Sequence, residues 1–345
     1  MQAINTLYEF FQRTAITPRL YHMGRRVVPC SLEHLREFEH GNIAWEAPWR
    51  FEARLAIMFS PRAGNDDPAV WFLALPLDEQ GFLSPALRDA FLHRLLETLG
   101  RNALAPTLGD ATQIDNLMQD NPLAFTPEPA FRAMFTARAS HDMNKPASTH
   151  WELADNYFAG SQQLDHWPTL GWQGIADFVV RRQAPQEVDI AKRLPALPKE
   201  ALIALCYCLE HAPPTSDDLL DALRKRGERA QAEHDTKIFY VCLRAAISST
   251  NARASAWMDA LLIQATHTDS ELLAACAARG WQHLEHGKRL PRFLDLAAQG
   301  SDTQFAALAR DLAMVPRLRL LVLMTLRQAA PDSTIGRRLE ALTRS

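Results

Sequence analysis

From about residue 185 to the C-terminus, the sequence predicts one helix after another and no strand. The helices fall into pairs that begin at residues 198, 235, 269 and 302, which are steps of 37, 34 and 33 residues. A helix pair of this length buries its apolar face only by stacking on neighbouring pairs. The period therefore predicts an α-solenoid with HEAT-like repeats, and an irregular helical bundle is the alternative.

The first hundred residues change period several times, which is typical of a mixed α and β unit. After an initial amphipathic helix, the run LYHMGRRVVP at 20–29 reads as one extended segment. Alternation at 51–60 and an apolar run at 69–77 predict a hairpin of two strands. Further helices are predicted at 31–41 and 84–100. The order α-β-α-β-β-α indicates a small sheet with helices on one face.

The length of 345 residues favours more than one domain, because a domain typically holds about 150 residues. We predict an α+β domain at 1–104, a connecting region at 105–184 and a larger all-α, helical-repeat domain at 185–345. Prolines interrupt the connecting region, where a helix is predicted at 114–120. The same region is rich in aromatic residues.

The aromatic residues of this region are concentrated between Trp151 and Phe178. Aromatic side chains bury a large area each, so we expect them to fill the seam between the two domains. A ligand or partner site is the alternative. In that case Trp167 and Trp172 are candidate binding residues.

Composition favours a folded, soluble chain, with 47% hydrophobic and 22% charged residues. The five cysteines form no disulfide framework, and the first residues lack the pattern of a signal peptide. The apolar run LRLLVLMTL at 318–326 is shorter than the ~20 residues that span a bilayer. We therefore expect a cytoplasmic protein without a membrane partner.

Charge is distributed unevenly along the chain. Residues 1–180 carry 14 Lys and Arg against 21 Asp and Glu, whereas residues 181–345 carry 23 against 19. This mild basic excess is below that of a dedicated nucleic-acid binder. The arginines of the helical half still leave nucleic-acid binding as an alternative. Those near the C-terminus are Arg317, Arg319, Arg327, Arg337 and Arg338.

No established catalytic motif is present: the chain lacks GxSxG, GxxxxGK[ST], HExxH and CxxC. Cys206 and Cys208 lie on different sides of one predicted helix and cannot chelate one ion together. We expect no cofactor and no metal, and the sequence favours a non-enzyme. An unrecognised hydrolase or transferase is the alternative, with the polar residues between His141 and Asp155 as its site.

Three blocks carry a resemblance to a known family: RLYHMGRRVVP, VWFLALPLDEQGFLSPALRDAFL and NPLAFTPEPAFRAMFTARAS. They resemble the corresponding blocks of an uncharacterised bacterial family, the domain of unknown function DUF3549. The resemblance is clearest over residues 18–140. It implies a bacterial cytoplasmic protein, and it brings no established activity and no functional residue.

The adjacent arginines Arg25 and Arg26 are the remaining candidate binding residues. If their segment shares a sheet with residues 69–77, Asp78 and Glu79 at the end of that strand are candidate partners for them. A structural ion pair is one role, and exposure for recognition is the other. Gly24 would allow a ligand or backbone to approach closely.

These observations favour a non-catalytic interaction scaffold or adaptor. The helical repeat would present an extended surface, and another protein is the expected partner.

Overall fold

The computed structural model describes residues 4–14, 16–60, 68–100, 118, 121–265 and 269–344. It contains two compact units, Met1–Pro127 with Met314–Pro316 and Glu128–Ala313 with Arg317–Ser345. The predicted boundary between 104 and 105 lies outside the described residues. So do most of the predicted helix at 114–120 and most of the predicted hairpin loop at 61–68.

The described elements of the first unit are α1 (Leu7–Arg13), β1 (Arg19–Met23), β2 (Val27–Cys30), α2 (Leu32–Glu39), β3 (Glu52–Phe59), β4 (Ala69–Pro76) and α3 (Ala86–Gly100). The four strands form an antiparallel sheet in the order β2-β1-β3-β4. The run at 20–29, predicted as one extended segment, instead folds into two strands, with Met23 paired to Val27. Gly24 begins the turn between them, and a Cβ there would lie 2.8 Å from the Ala47 carbonyl oxygen.

The core of this unit lies between one face of the sheet and the helices α1, α2 and α3. Every second residue of β3 and β4 enters it, because successive strand residues point to opposite faces. Each large apolar side chain buried in this way contributes about 1.5–3 kcal/mol. Core members include Leu55, Ile57, Trp71 and Leu73 from the strands, and Phe10, Phe38, Phe91 and Leu95 from the helices.

A buried carboxylate joins α1, α2 and α3. Glu39, the last residue of α2, accepts hydrogen bonds from the backbone N–H groups of Leu7 (2.8 Å) and Tyr8 (2.9 Å) at the start of α1. It also accepts from Arg88 Nη1 of α3 at 3.2 Å. Burial raises the pKa of Glu39, while these donors oppose the rise. A carboxylate at a helix N-terminus satisfies N–H groups that have no partner within the helix.

The described part of the second unit is helical. Its elements are α4 (Pro129–Asp142), α5 (Trp151–Ala159), α6 (Trp172–Arg181), α7 (Ala184–Arg193), α8 (Lys199–His211), α9 (Asp217–Ala232), α10 (Thr236–Ile247), α11 (Ala252–Gln264), α12 (Ser270–Arg279), α13 (Arg289–Ala298), α14 (Asp302–Met314), α15 (Pro316–Arg327) and α16 (Thr334–Arg344), with 3₁₀ turns at Leu164–Thr169, Leu194–Ala196 and Trp281–Glu285. This confirms the coarse prediction of a small sheet-and-helix region followed by helices. The last residue of α14 and the first residue of α15 are assigned to the first unit.

Alternate helices of this unit pack against one another. α8 packs against α10 and α10 against α12, while α7 packs against α9, α9 against α11 and α11 against α13. Local capping sets several helix starts: Ser216 Oγ accepts from the Leu219 N–H, and Asp235 Oδ1 from the Ile238 N–H. None of the described helices combines the length and apolar character needed to cross a bilayer.

Candidate functional site

The structure places the predicted binding arginines in the turn between β1 and β2. Arg25 is fully buried, and its Nε donates to the Pro48 carbonyl oxygen at 3.0 Å. Arg26 is half-buried. The buried side chain of Arg25 is therefore part of the folded interior. The hydrogen bond to Pro48 explains why an arginine stands at position 25, and no ligand is needed to account for it.

Asp78 and Glu79 lie exposed in the turn after β4. The Asp78 carboxylate accepts from the backbone N–H groups of Gln80 (2.8 Å) and Phe82 (2.9 Å), a pattern that closes a tight turn. Asp78 thus has a local structural role. Pairing of either acid with the two arginines stays a prediction.

Trp167 and Trp172 lie within the second unit and line a shallow cavity of about 200 Å³ together with Glu200. Trp172 is 40% exposed, and its ring centroid lies 5.7 Å from that of Tyr207. The exposed indole makes this cavity accessible to a ligand. It remains a candidate site, with one acidic side chain at its wall.

Three other aromatic residues between Trp151 and Phe178 are buried instead of lining this cavity. Tyr157, Phe158 and Phe178 are buried, and the last two stack with centroids 5.1 Å apart. All three belong to α5 and α6 of the second unit. Their burial is therefore explained by the core of that unit.

The first unit brings together two histidines and a cysteine from three neighbouring elements. His22 of β1 is paired with Val28, and Cys30 at the end of β2 is paired with Leu20. Because Leu20 and His22 are two residues apart on one strand, His22 and Cys30 point to the same face. His34 lies in the first turn of α2, which Ser31 caps through the His34 N–H at 3.0 Å.

We call His22, Cys30 and His34 the HCH cluster. One nitrogen of each imidazole and the Cys30 sulfur all lie within 4.8 Å of one another. Trp45, which is fully buried, packs beside both rings, with centroid distances of 4.6 Å to His22 and 5.3 Å to His34. His22 Nδ1 and His34 Nε2 are buried and have no hydrogen-bond partner among the described residues. The cluster thus combines converging donors with unsatisfied nitrogens.

Burial dominates the electrostatics of the HCH cluster. It lowers the pKa of His22 to about 4, with a further contribution from His34. Burial also lowers the pKa of His34, against the opposing charge of Glu46. For Cys30, burial and then Glu46 raise the pKa to about 12. Near neutral pH, both imidazoles are therefore uncharged and the thiol holds its proton.

Sequence reasoning missed the HCH cluster. It tested close ligand pairs and established motifs, whereas these residues follow the spacing H-x7-C-x3-H across a hairpin and a helix start. The C-x3-H spacing of Cys30 and His34 was the part of this pattern that could have indicated a pair of metal ligands. Among the described residues, the alternative polar segment from His141 to Asp155 does not form a comparable group of converging ligands.

A second feature lies on α15, where one face carries large apolar side chains in contact with solvent. Their exposed fractions are 68% for Leu320, 41% for Leu321, 48% for Leu323 and 43% for Met324. The opposite face carries Leu318 and Val322, which are buried. We call the four exposed residues the α15 ridge.

The fold and these sites define a protein with an N-terminal antiparallel sheet, a helical C-terminal part and no catalytic motif of an established class. The chain belongs to the family described as "Protein of unknown function (DUF3549)", whose model matches residues 2–343. The match confirms the resemblance seen over residues 18–140 and extends it to essentially the whole chain. No curated protein and no solved structure matches it.

Proposed function

We propose that this protein is a non-catalytic adaptor that binds another protein through the α15 ridge. The observation that carries the proposal is the exposure of four large apolar side chains on one helix face. Contiguous apolar surface of this kind marks interaction sites in soluble proteins. Leu318 and Val322 on the buried face anchor the helix, so the ridge is presented on a fixed element.

Charge around the ridge indicates the chemistry of the partner. Arg317 and Arg327 are exposed at the two ends of α15. Arg317 is within 3.5 Å of Glu285, yet its side chain is 81% exposed. A partner with an apolar groove and an acidic rim would match this pattern, in the helix-in-groove mode of recognition.

We also propose that the helical part is a HEAT-like solenoid. Two series of alternate helices pack on one another, as stacked helix pairs do. Three Arg–carboxylate hydrogen bonds support this, because they join residues 34, 32 and 30 positions apart, about one repeat. The pairs are Arg244 with Glu210 (2.9 Å), Arg253 with Asp221 (2.6 Å) and Arg289 with Asp259 (2.5 Å). A cytoplasmic, bacterial setting is part of the same proposal.

The test compares two double variants of the full chain. Leu320→Gln/Leu323→Gln removes half of the ridge, and Leu87→Gln/Leu153→Gln removes two exposed leucines elsewhere, 43% and 38% exposed. Glutamine is a good helix former, so both variants should keep their helices. Proteins captured by the wild type are quantified for each variant, and a captured partner is then purified and titrated.

We expect a partner that is lost from the ridge variant and retained by the control variant. Its affinity for the purified ridge variant should fall at least ~10-fold, as for residues at the centre of an interface. Identical capture by the ridge variant and the control variant would refute the adaptor proposal. Circular dichroism and thermal unfolding of both variants confirm that each is folded.

The nucleic-acid alternative has less support, because most of the C-terminal arginines make internal contacts. Arg338 pairs with Asp302 and donates to two backbone carbonyl groups. Arg319 and Arg337 also donate to backbone carbonyl oxygens. Arginines engaged in this way are less available to neutralise phosphates.

A further inference from the structure

The buried imidazole nitrogens of the HCH cluster need a partner. A buried polar atom without a hydrogen bond destabilises the folded state. His22 is only 5% exposed, and both its Nδ1 and the Nε2 of His34 are in this situation. His22 and His34 each also bring one imidazole nitrogen within 4.8 Å of the Cys30 sulfur. A single ion could satisfy both nitrogens at once.

We propose that His22, Cys30 and His34 bind one divalent transition-metal ion, with Zn²⁺ as the favoured metal. Two imidazoles and one thiolate are nitrogen and sulfur donors, which suit zinc, whereas Mg²⁺ and Ca²⁺ require oxygen ligands. Three protein ligands leave one position of a tetrahedral ion for water or an incoming ligand. Binding transfers the Cys30 thiol proton to solvent, because the thiolate is the ligand.

The donor atoms of the HCH cluster lie only slightly farther apart than the ligands of a bound zinc ion. Zinc bonds of about 2.0–2.1 Å to nitrogen and 2.3 Å to sulfur place tetrahedral ligands roughly 3.4–3.7 Å apart. The donor atoms of the HCH cluster lie within 4.8 Å of one another. Holding an ion therefore requires the donor atoms to move together by at most roughly 1.4 Å, and Cys30 and His34 are only half-buried. The backbone register that aligns them is already in place.

The surroundings of the cluster fit a bound cation. The rings of Trp45 and Phe38 pack with centroids 4.8 Å apart, and Trp45 also flanks both histidines, which limits their orientations. Glu46 places negative charge close enough to act on both Cys30 and His34. Negative charge beside the site attracts a divalent cation and so favours its binding.

Binding would couple three elements of the first unit. His22 lies on β1, Cys30 ends β2 and His34 is in the first turn of α2. An ion held by all three fixes the hairpin against the helix start. Anything that binds the folded state alone stabilises it, so the metal should raise the unfolding temperature of the first unit.

The experiment uses the full-length chain, freed of metal with a chelator and titrated with Zn²⁺ and with Co²⁺. Co²⁺ substitutes for Zn²⁺ and is coloured, and a thiolate ligand adds a sulfur-to-cobalt charge-transfer band. We expect one ion per chain, the charge-transfer band, and a higher unfolding temperature with Zn²⁺. Calorimetry or a competing indicator gives the affinity.

Two ligand variants and one control test the assignment. Cys30→Ser should remove the charge-transfer band, and His34→Gln should weaken binding more than ~100-fold, because even outer-sphere changes cost 10–100-fold. His93→Gln is the control, since His93 is 75% exposed in its side chain and lies outside the cluster. It should bind as the wild type does.

Two results would overturn the proposal. The first is a cobalt spectrum without the thiolate band in the wild type. The second is zinc affinity in the Cys30→Ser and His34→Gln variants equal to that of the wild type. Far-ultraviolet circular dichroism of each metal-free variant shows whether it is folded, and Cys30→Ala serves as a second cysteine variant if Cys30→Ser does not fold.

Discussion

Arg182 and Glu187 form a buried ion pair at the junction of α6 and α7, with Arg182 Nη2 2.9 Å from Glu187 Oε1 and side chains only 6% and 3% exposed. Glu187 also accepts from the backbone N–H groups of Ser216 (2.6 Å) and Thr215 (3.1 Å), just before α9. One carboxylate therefore joins a helix start to a distant loop. Burial of the pair is tolerated because each guanidinium nitrogen of Arg182 donates a hydrogen bond, to Glu187, to the Val179 carbonyl or to the Pro213 carbonyl.

Glu187→Gln should destabilise the second unit by about 3–5 kcal/mol, because it leaves the Arg182 charge buried without its counterion. Urea unfolding followed by circular dichroism measures the change. Asp189→Asn is the control on the same helix, since its pair with Lys192 is exposed. That variant should lose less than ~1 kcal/mol. Equal losses in the two variants would contradict the special role of the buried pair.

The same carboxylate predicts a dependence of stability on pH. Burial alone would raise the pKa of Glu187, but Arg182 and the donors of Ser216 and Thr215 outweigh it and hold the pKa below its ordinary value of 4.5. A group with a depressed pKa contributes stability that is present above its unfolded-state pKa and is lost as the pH falls through the folded-state pKa.

We therefore expect the stability difference between wild type and Glu187→Gln to be constant from neutral pH down to about pH 5 and to shrink below it. Unfolding in urea at a series of pH values tests this. If the stability difference between wild type and Glu187→Gln grew as the pH fell, the predicted direction of the pH dependence would be wrong. Asp189→Asn again provides the comparison, because its carboxylate is exposed.

Gly227→Ala should destabilise the protein although it lies in the interior of a helix, where alanine is normally better by about 1 kcal/mol. A Cβ at this position of α9 would lie 2.9 Å from Trp257 Cη2 and 3.4 Å from Cys242 Cβ. Trp257 is buried and cannot easily move away. Overpacking of this kind costs about 1–3 kcal/mol.

Thermal unfolding measures the effect of Gly227→Ala, with Gly171→Ala as the control. No atom lies within 4 Å of a Cβ built at Gly171. Gly171 is the N-cap residue of α6, so the control should lose no more than about 1 kcal/mol, the usual cost of alanine at an N-cap. A stabilised Gly227→Ala variant would mean that α9 and α11 do not approach as closely as described.

Thiol reactivity should distinguish Cys30 from the other four cysteines. Cys206, Cys208, Cys242 and Cys276 are fully buried, whereas Cys30 is half-buried. A thiol that solvent and reagent cannot reach reacts slowly. A thiol reagent should modify Cys30 first in the native protein and all five in denaturant, and Cys30→Ser should abolish the first phase. Rapid reaction of several thiols in that variant would contradict this burial.

The helices and strands were predictable because their signals are local. The helical spacing beyond residue 185 predicted a helical second half, and the alternation at 51–60 predicted β3. Prediction was wrong for the run at 20–29, where the sequence indicated one extended segment. Gly24 was the local sign of a turn. The close approach of the Ala47 carbonyl, which explains the glycine, is a contact between distant residues.

The sequence by itself determined that this chain is folded, that its second half is helical and that it belongs to a family without an established activity. Only the tertiary structure brought His22 and His34 to Cys30, and Arg182 and Glu187 to the loop before α9. The reason is register: a shift of one residue between β1 and β2 would turn His22 to the opposite face of the sheet. Such a register depends on the packing of the whole sheet against its helices, and no short stretch of sequence contains that information.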